Sequence, residues 1–306
     1  MRLLPYSFLL FLLALVSCDQ QNEENHSLSK EESGISESEA APRELTAGFK
    51  DYWYSGLAEI SSYDLKQDRY GELRDGTAVL IFVTEPFDVQ DQVKADQSAP
   101  SNRSVLKLNA TRDFITGIYP YKIMSSTFLP LDRQENALKV ATSIQEWCGH
   151  SYMQLNHKAD HYNVQLYSYF QSEGTKEFQV PAVLLENQIP NQLRLNPAEM
   201  PVGKIQMIPS TEYLRLSHDE TKALPATATL KQEAATYHYE ISYESGRTVS
   251  YVTDKQFPYQ IRSWKEEFPS RGSIATVTAT LKKTLRTAYW NQNSTKYAVL
   301  RDSLAL

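Results

Sequence analysis

The chain has 306 residues, with 31 Lys or Arg against 37 Asp or Glu and a formal charge of −6 at pH 7. That balance supplies no basic face for a nucleic-acid partner, and only Cys18 and Cys148 are available for disulfide, redox or thiolate chemistry. A total of 19 tyrosines against 11 glycines suits strands joined by few flexible loops.

Arg2 precedes an apolar run over residues 3–16 that only Pro5, Tyr6 and Ser7 interrupt. A helix that crosses a bilayer needs about 20 apolar residues, so residues 1–17 read as a secretory signal peptide. The run closes on Leu15-Val16-Ser17-Cys18, which resembles the lipobox of bacterial lipoproteins. The resemblance implies cleavage before Cys18 and acylation of its thiol, with the small Ser17 giving a peptidase access and the thiolate acting as nucleophile. The competing reading is an ordinary signal peptide with a chance cysteine. Two or three acyl chains at about 0.8 kcal/mol per buried methylene anchor a protein firmly, so the first expected partner is a membrane, held through a palmitate-type anchor.

Residues 18–47 carry that cysteine and then change composition: residues 19–47 have no aromatic side chain, eight acids and two bases. Such a segment cannot bury enough apolar surface to offset its ordering entropy and reads as a disordered acidic tether. Its span is about 30 Å as a coil and about 100 Å at full stretch. The tether holds −6 and Arg2 holds +1, which leaves residues 48–306 at −1. Asp19-Gln20-Gln21-Asn22-Glu23-Glu24 loosely resembles signals that sort lipoproteins toward the outer membrane, so the expected location is the cell envelope, on the periplasmic or surface side.

Residues 48–306 read as a single β-rich domain. Strands are expected over 52–65, then over 78–83 after the turn Asp75-Gly76, where the unbroken run Ala78-Val79-Leu80-Ile81-Phe82-Val83 implies burial on both faces. Further strands follow over 105–110, 121–129, 137–155 and 164–170, and then over 204–208, 213–216 and 226–230. A hairpin joins 237–243 to 248–253 about Ser245-Gly246, and strands over 259–268 and 274–289 complete the set. Residues 181–195 break the rule. Leu185, Ile189 and Leu193 lie four apart on one helical face, Pro181 suits a first turn, and Pro190 should kink the helix. The fold class is therefore mainly β: a large curved antiparallel sheet, or open half-barrel, wrapped around one kinked helix.

That element order resembles the half-barrel of periplasmic lipoprotein carriers and their outer-membrane receptors, which hold acyl chains between sheet and helix. A broader resemblance rests on Asp51-Tyr52-Trp53-Tyr54, Arg69-Tyr70-Gly71-Glu72, residues 79–87, Gly117-Ile118-Tyr119-Pro120-Tyr121, Gln145-Glu146-Trp147-Cys148-Gly149-His150 and Ala288-Tyr289-Trp290-Asn291. Together these resemble a family of envelope lipoproteins of Gram-negative bacteria, some members of which carry the label "septum formation inhibitor Maf". The label would imply a nucleotide pyrophosphatase with a Ser- and Arg-rich phosphate-binding stretch. The nearest counterpart here, Ala41-Pro42-Arg43, falls in the tether of an exported chain.

If 137–155 is one strand, its period of two places Glu146, Cys148 and His150 on one face. An acid, a thiol and an imidazole in a row suggest Cys148 as nucleophile, His150 as base and Glu146 as orienter. Alternate residues on a strand stand about 6.5–7 Å apart with side chains nearly parallel, which disfavours a triad. The simpler expectation is that Cys148 packs as a small, inert hydrophobe. No cofactor and no metal are expected, and redox exchange lacks a resolving thiol once Cys18 is acylated. The charges Arg69, Glu72, Arg74 and Glu85 suggest either a mouth for an anionic ligand or paired surface charges. Tyr52, Trp53, Tyr54, Tyr119 and Tyr121 suit either an apolar ligand cavity or the core. The expected function is binding of an apolar or acyl ligand, held between the sheet and the helix over 181–195, by a tethered envelope protein. The alternatives are a structural subunit with an envelope protein partner and, less favoured, an enzyme using Cys148.

Overall fold

The computed structural model describes residues Ala40–Leu306. The expected signal peptide, Cys18 and the tether as far as Glu39 lie outside the described residues. Helix α1 (Ala47–Trp53) leads into β1 (Ala58–Arg69), β2 (Glu72–Asp88), the short β3 (Val93–Lys94), β4 (Arg103–Thr116) and β5 (Tyr119–Pro130). The hairpin β6 (Lys139–Glu146) and β7 (Gly149–His157) follows, then β8 (His161–Ser168), β9 (Thr175–Pro181) and β10 (Leu184–Leu185). A 3-10 turn (Glu186–Gln188) runs into α2 (Ile189–Leu195), after which come β11 (Gly203–Ile208), α3 (Thr211–Ser217) and β12 (Leu224–Gln232). Strands β13 (Thr236–Tyr243), β14 (Thr248–Asp254), β15 (Ile261–Ser270) and β16 (Ser273–Thr287) and helix α4 (Leu300–Ser303) complete the chain.

All the strands belong to one 16-stranded sheet that begins at β10, runs in sequence order to β16, passes to β1 and ends at β9. Every pair is antiparallel except β10 with β11. The first and last long strands are neighbours through ten matched residue pairs, from Ala58 with Thr287 to Gln67 with Val277. The interruption of the meander therefore falls in mid-chain, at residues 182–183 between the two edges β9 and β10. The sheet is mainly β and unclosed, as the alternating pattern implies.

The sheet is strongly curved. Arg112 on β4 and Glu266 on β15 stand four strand spacings apart, roughly 19 Å along a flat sheet. Their side chains nonetheless pair at 2.7 Å, which requires the two halves of the sheet to face one another. Inside the curve lies the segment that leaves the break. Leu185, Ile189 and Leu193 are fully buried, so the apolar stripe points into the core as its spacing implies.

The segment also carries charge into the core at both ends. Glu186 accepts from both terminal nitrogens of Arg247, one of them at 2.7 Å, and Arg194 reaches Glu59 in the same two-pronged way. Arg194 further donates from Nε to the Pro258 carbonyl at 2.9 Å and lies over the rings of Trp53 and Phe82. Between these clamps Asn187 donates to Glu212 at 2.7 Å and accepts from the Thr211 amide at 2.9 Å, while Asn191 donates to the Leu106 carbonyl. Glu186, Asn187, Asn191 and Arg194 thus each meet a partner from outside the segment, as burial demands, although Asn191 Oδ1 and the buried Thr253 hydroxyl find none among the described residues.

Several expectations are corrected. Pro190 does not kink the helix; it occupies the first turn of α2, where a missing amide costs nothing, and Pro181 ends β9. The expected strand at 52–65 starts only at Ala58, because Thr46 caps α1 through the Phe49 amide and Phe49 and Trp53, four apart, bury one helical face. Residues 213–216 belong to α3, capped by Ser210. The run 78–83 is not buried on both faces: Ala78, Leu80 and Phe82 point into the core, and Val79, Ile81 and Val83 are half-exposed. Ordered structure also reaches into the expected tether, since Pro42 bridges Arg133 and the Arg43 amide donates to the Asp132 carbonyl at 2.8 Å.

Candidate functional site

The correction with most consequence falls at Trp147-Cys148. Residues 137–155 are not one strand; Trp147 and Cys148 form the two-residue turn of the β6–β7 hairpin, which pairs Glu146 with Gly149 and Gln145 with His150. A two-residue turn inverts the parity of the inward face. Val140, Thr142 and Ile144 point inward on β6, whereas Met153 and Leu155 do so on β7. Glu146 is therefore in register with the inward side of the sheet and His150 with the outward side, and no Glu-Cys-His row forms. Cys148 is exposed rather than packed as a hydrophobe. Its amide donates to the Glu146 carboxylate at 2.6 Å, and the same carboxylate raises the thiol pKa above its ordinary value by accepting from the thiol and by its charge. A raised thiol pKa opposes nucleophilic catalysis, which needs the thiolate.

The hairpin nevertheless borders the site. Five successive hairpins of the sheet, β15–β16, β1–β2, β4–β5, β6–β7 and β8–β9, turn at one end of the strands. Behind them, against the C-terminal end of α3, opens a cavity of about 600 Å³, within the range of small-molecule sites. Glu146, Cys148 and Gly149 line it; His150 does not. Four arginines line it as well: Arg69, Arg112, Arg215 and Arg271. Arg112 is taken up by Glu266, and Arg215 by Glu173 at 2.6 Å. Arg69 donates to the Leu216 carbonyl at 2.7 Å and packs over the rings of Tyr70 and Tyr121, and Arg271 lies over the Tyr70 ring at 5.6 Å. Neither has a carboxylate partner among the described residues. Asp68, Asp219, Glu146 and Glu266 balance the four cations, so the cavity is formally neutral and its two unpaired guanidiniums act only at contact range.

The backbone presents those groups under strain. Tyr70-Gly71 and Arg271-Gly272 are two-residue turns with positive φ throughout (62° and 80°; 49° and 79°), the type I′ geometry that matches strand twist. Glycine accepts this readily, whereas Tyr70 and Arg271 carry a Cβ into the left-handed region at a cost of about 1–2 kcal/mol each. Non-glycine residues held this way concentrate at functional sites. Tyr70 also shares a 2.7 Å hydrogen bond with Tyr121. Burial would raise the Tyr70 phenol, but that bond and the Arg69 charge hold it below its ordinary value, while burial and Tyr70 push Tyr121 up.

Of Arg69, Glu72, Arg74 and Glu85, only Arg69 reaches the cavity. Arg74 pairs with Glu72 at 2.7 Å, and Glu85 pairs with Lys107 at 3.3 Å. Tyr121 lines the cavity, whereas Trp53 packs in the core and Tyr52 donates to buried Glu59. Sequence reasoning missed Arg271, for which the available signal was a residue-Gly pair between two strand runs. It also missed Arg112, Arg215 and Glu266, whose roles depend on distant partners. Between α2 and the sheet the void against Pro190, Leu108 and Trp264 is only about 40 Å³, whereas an open cleft of about 650 Å³ borders the last turn of α2 at Gln192, Leu195 and Asn196. Among the described residues no group of three or more His, Cys, Asp or Glu is placed to hold a metal ion.

Comparison of the chain with protein-family models, with curated proteins and with solved structures finds no match.

Proposed function

We propose that this chain is a lipid-anchored envelope protein, tethered through Cys18, whose body binds an amphipathic ligand with an acidic head and an acyl or similar apolar portion. The observation that supports this reading is the cavity at the hairpin ends, where Arg69 and Arg271 lack carboxylate partners and Ile144, Leu216, Phe268 and Val277 offer apolar surface. A guanidinium binds an acid through a planar pair of donors, and apolar lining contributes roughly 25 cal/mol per Å² of surface removed from water. The ligand takes the mouth of the half-barrel rather than the filled space between α2 and the sheet.

Native mass spectrometry of protein extracted from membranes, with displacement of a fluorescent fatty acid, tests the reading. A bound amphiphile is expected, with affinity falling about tenfold for each guanidinium removed by Arg69→Ala or Arg271→Ala. A chain that carries no amphiphile and displaces no probe overturns it. Metabolic labelling with a palmitate analogue tests the anchor, and labelling that persists in Cys18→Ser would exclude Cys18 as its site.

A further inference from the structure

Strands β7 and β8 carry a mirrored motif. Tyr152, Gln154 and Asn156 alternate along β7, and Asn163, Gln165 and Tyr167 return along β8 in the reverse order. Antiparallel register sets like against like: Tyr152 opposite Tyr167, Gln154 opposite Gln165, and Asn156 opposite Asn163. The residues between them, such as Met153 and Val164, point into the core, so all six lie on the outer face of the sheet. Gln179 on β9 extends the asparagine rung, and β9 is the edge of the sheet.

A loop turns this face into a groove of about 560 Å³, within the range of ligand sites. Its wall is Gln92, a buried residue held at φ 52°. The Gln92 side chain donates to the His157 carbonyl at 2.8 Å and accepts from Asn156, and its own carbonyl accepts from Lys139 at 2.9 Å. A non-glycine residue keeps such a backbone only where its surroundings over-determine it. The floor is ordered as well, since the Tyr152 hydroxyl donates to Gln154 and Gln154 donates to Asn156, each at 2.6 Å. On the β8 and β9 side the amides are left underused. The side-chain oxygens of Gln165 and Gln179 and the side-chain nitrogen of Asn163 have no partner among the described residues.

We infer that this groove binds a neutral saccharide chain. An amide offers a donor and an acceptor without charge, which is the complement of the hydroxyl pairs that a sugar presents. Charge disfavours the other polar classes. The charged residues of the lining are Asp91, Lys158 and Glu177, and their sum of −1 opposes an anionic polymer, while one exposed acid holds a cationic ligand only weakly. An apolar ligand would strip water from the amides without replacing their hydrogen bonds. Tyr152 and Tyr167, with ring centroids 6.5 Å apart and both partly exposed, flank the glutamine rung. They supply flat apolar rings for the C–H face of a pyranose.

No residue lines both this groove and the arginine cavity, so saccharide titration reads the groove whatever the cavity holds. The test is titration calorimetry of the full chain, purified from membranes in a detergent without a sugar head. The probes are maltohexaose, cellohexaose and N-acetylchitohexaose, with a galacturonate hexamer as the anionic comparison and a neutral peptide of alternating Thr and Val as a strand that could add to the β9 edge. At least one neutral hexasaccharide is expected to bind with a Kd at or below about 1 mM, and more tightly than the galacturonate. Combining Gln165→Ala with Tyr167→Ala should weaken it at least about tenfold, whereas Thr229→Ala, exposed on β12, should leave it unchanged. If the double variant melts early, Gln179→Ala on the edge strand carries the test, with an expected loss of about threefold. Failure of all three neutral saccharides to bind, undiminished binding by the groove variants, tighter binding of the galacturonate, or binding of the peptide alone overturns the proposal.

Discussion

Arg194 and Glu59 are 135 residues apart in the chain, yet they meet as a bidentate ion pair with both side chains almost wholly withdrawn from water. The pair ties α2 to β1, the strand that joins the two halves of the sheet, and Glu186 with Arg247 ties the preceding turn to the β13–β14 hairpin. The charges are reversed between the two clamps, since the inner segment contributes the acid at one end and the base at the other. Reversed end for end, each charge would face a like charge, so the two clamps favour one orientation of the segment inside the curve.

Breaking one partner of such a pair leaves a buried charge without compensation, which costs about 3–5 kcal/mol. Arg194→Ala should therefore lower the unfolding free energy in urea by that amount. Replacing both partners together, with Arg194→Met and Glu59→Leu, should cost markedly less. Equal losses in the single and double variants would show that packing, rather than charge, holds the segment.

Stability should depend on pH through Glu59 and Glu266. Burial alone would raise both carboxyls, but Arg194 beside Glu59, and Arg112 with Arg247 beside Glu266, hold them below the ordinary value of 4.5. A carboxyl depressed in the folded state contributes stability that is fully present above its unfolded value and is lost as pH falls through the folded one. Urea midpoints should thus be flat above about pH 5 and fall below pH 4.5, by at most about 1.4 kcal/mol per pH unit for each group. The fall should be shallower in Glu59→Gln, and an identical profile would remove Glu59 from the account.

Gly76 lies within β2 opposite Phe114, and a Cβ there would stand 2.5 Å from the Asp113 carbonyl oxygen of the neighbouring strand. Backbone cannot yield as a side-chain tip can, so Gly76→Ala should destabilise by about 1–3 kcal/mol in thermal or urea unfolding. A neutral substitution would mean that the two strands separate locally at little cost.

Arg271 should show a trade between stability and binding. Asparagine tolerates the left-handed backbone better than arginine does, so Arg271→Asn should leave stability unchanged or raise it by up to about 1 kcal/mol. The same change removes a cavity cation and should weaken the amphiphile. A variant that binds as tightly as the parent would show that Arg271 is a turn residue only.

The Cys148 thiol is accessible but held protonated by Glu146. Alkylation near pH 7 should be slower than for an unperturbed exposed thiol, and Glu146→Gln should accelerate it. Cys148→Ser should fold normally and bind the amphiphile as the parent does. Loss of binding in the serine variant would return the thiol to the site.

Local chemistry made much of this architecture legible in advance. Period-two runs marked most strands, Ser245-Gly246 marked a hairpin, and the spacing of Leu185, Ile189 and Leu193 marked the one buried face of α2. Those signals depend on a few neighbouring residues, so they survive without any knowledge of the fold. The row of Glu146, Cys148 and His150 failed because a turn as short as Trp147-Cys148 carries no proline and places its glycine one position later, inside β7. Read without the turn, the parity of the whole segment is wrong beyond residue 147.

What the sequence by itself determined is therefore the inventory: a mainly β body, an apolar stripe for its interior, and the candidate residues Arg69 and Tyr121. Tertiary structure alone decided which strands are neighbours, and so which charges meet. Arg112 finds Glu266 only because the sheet curves, and Arg194 finds Glu59 only because the meander breaks at its middle rather than at its ends. Arg69 and Arg271 share one cavity because β1 and β16, almost the full length of the body apart in the chain, lie side by side. A periodic pattern reports which face of an element is buried. The partner across that face depends on loop closure and packing summed over the whole chain, and no local window of sequence contains it.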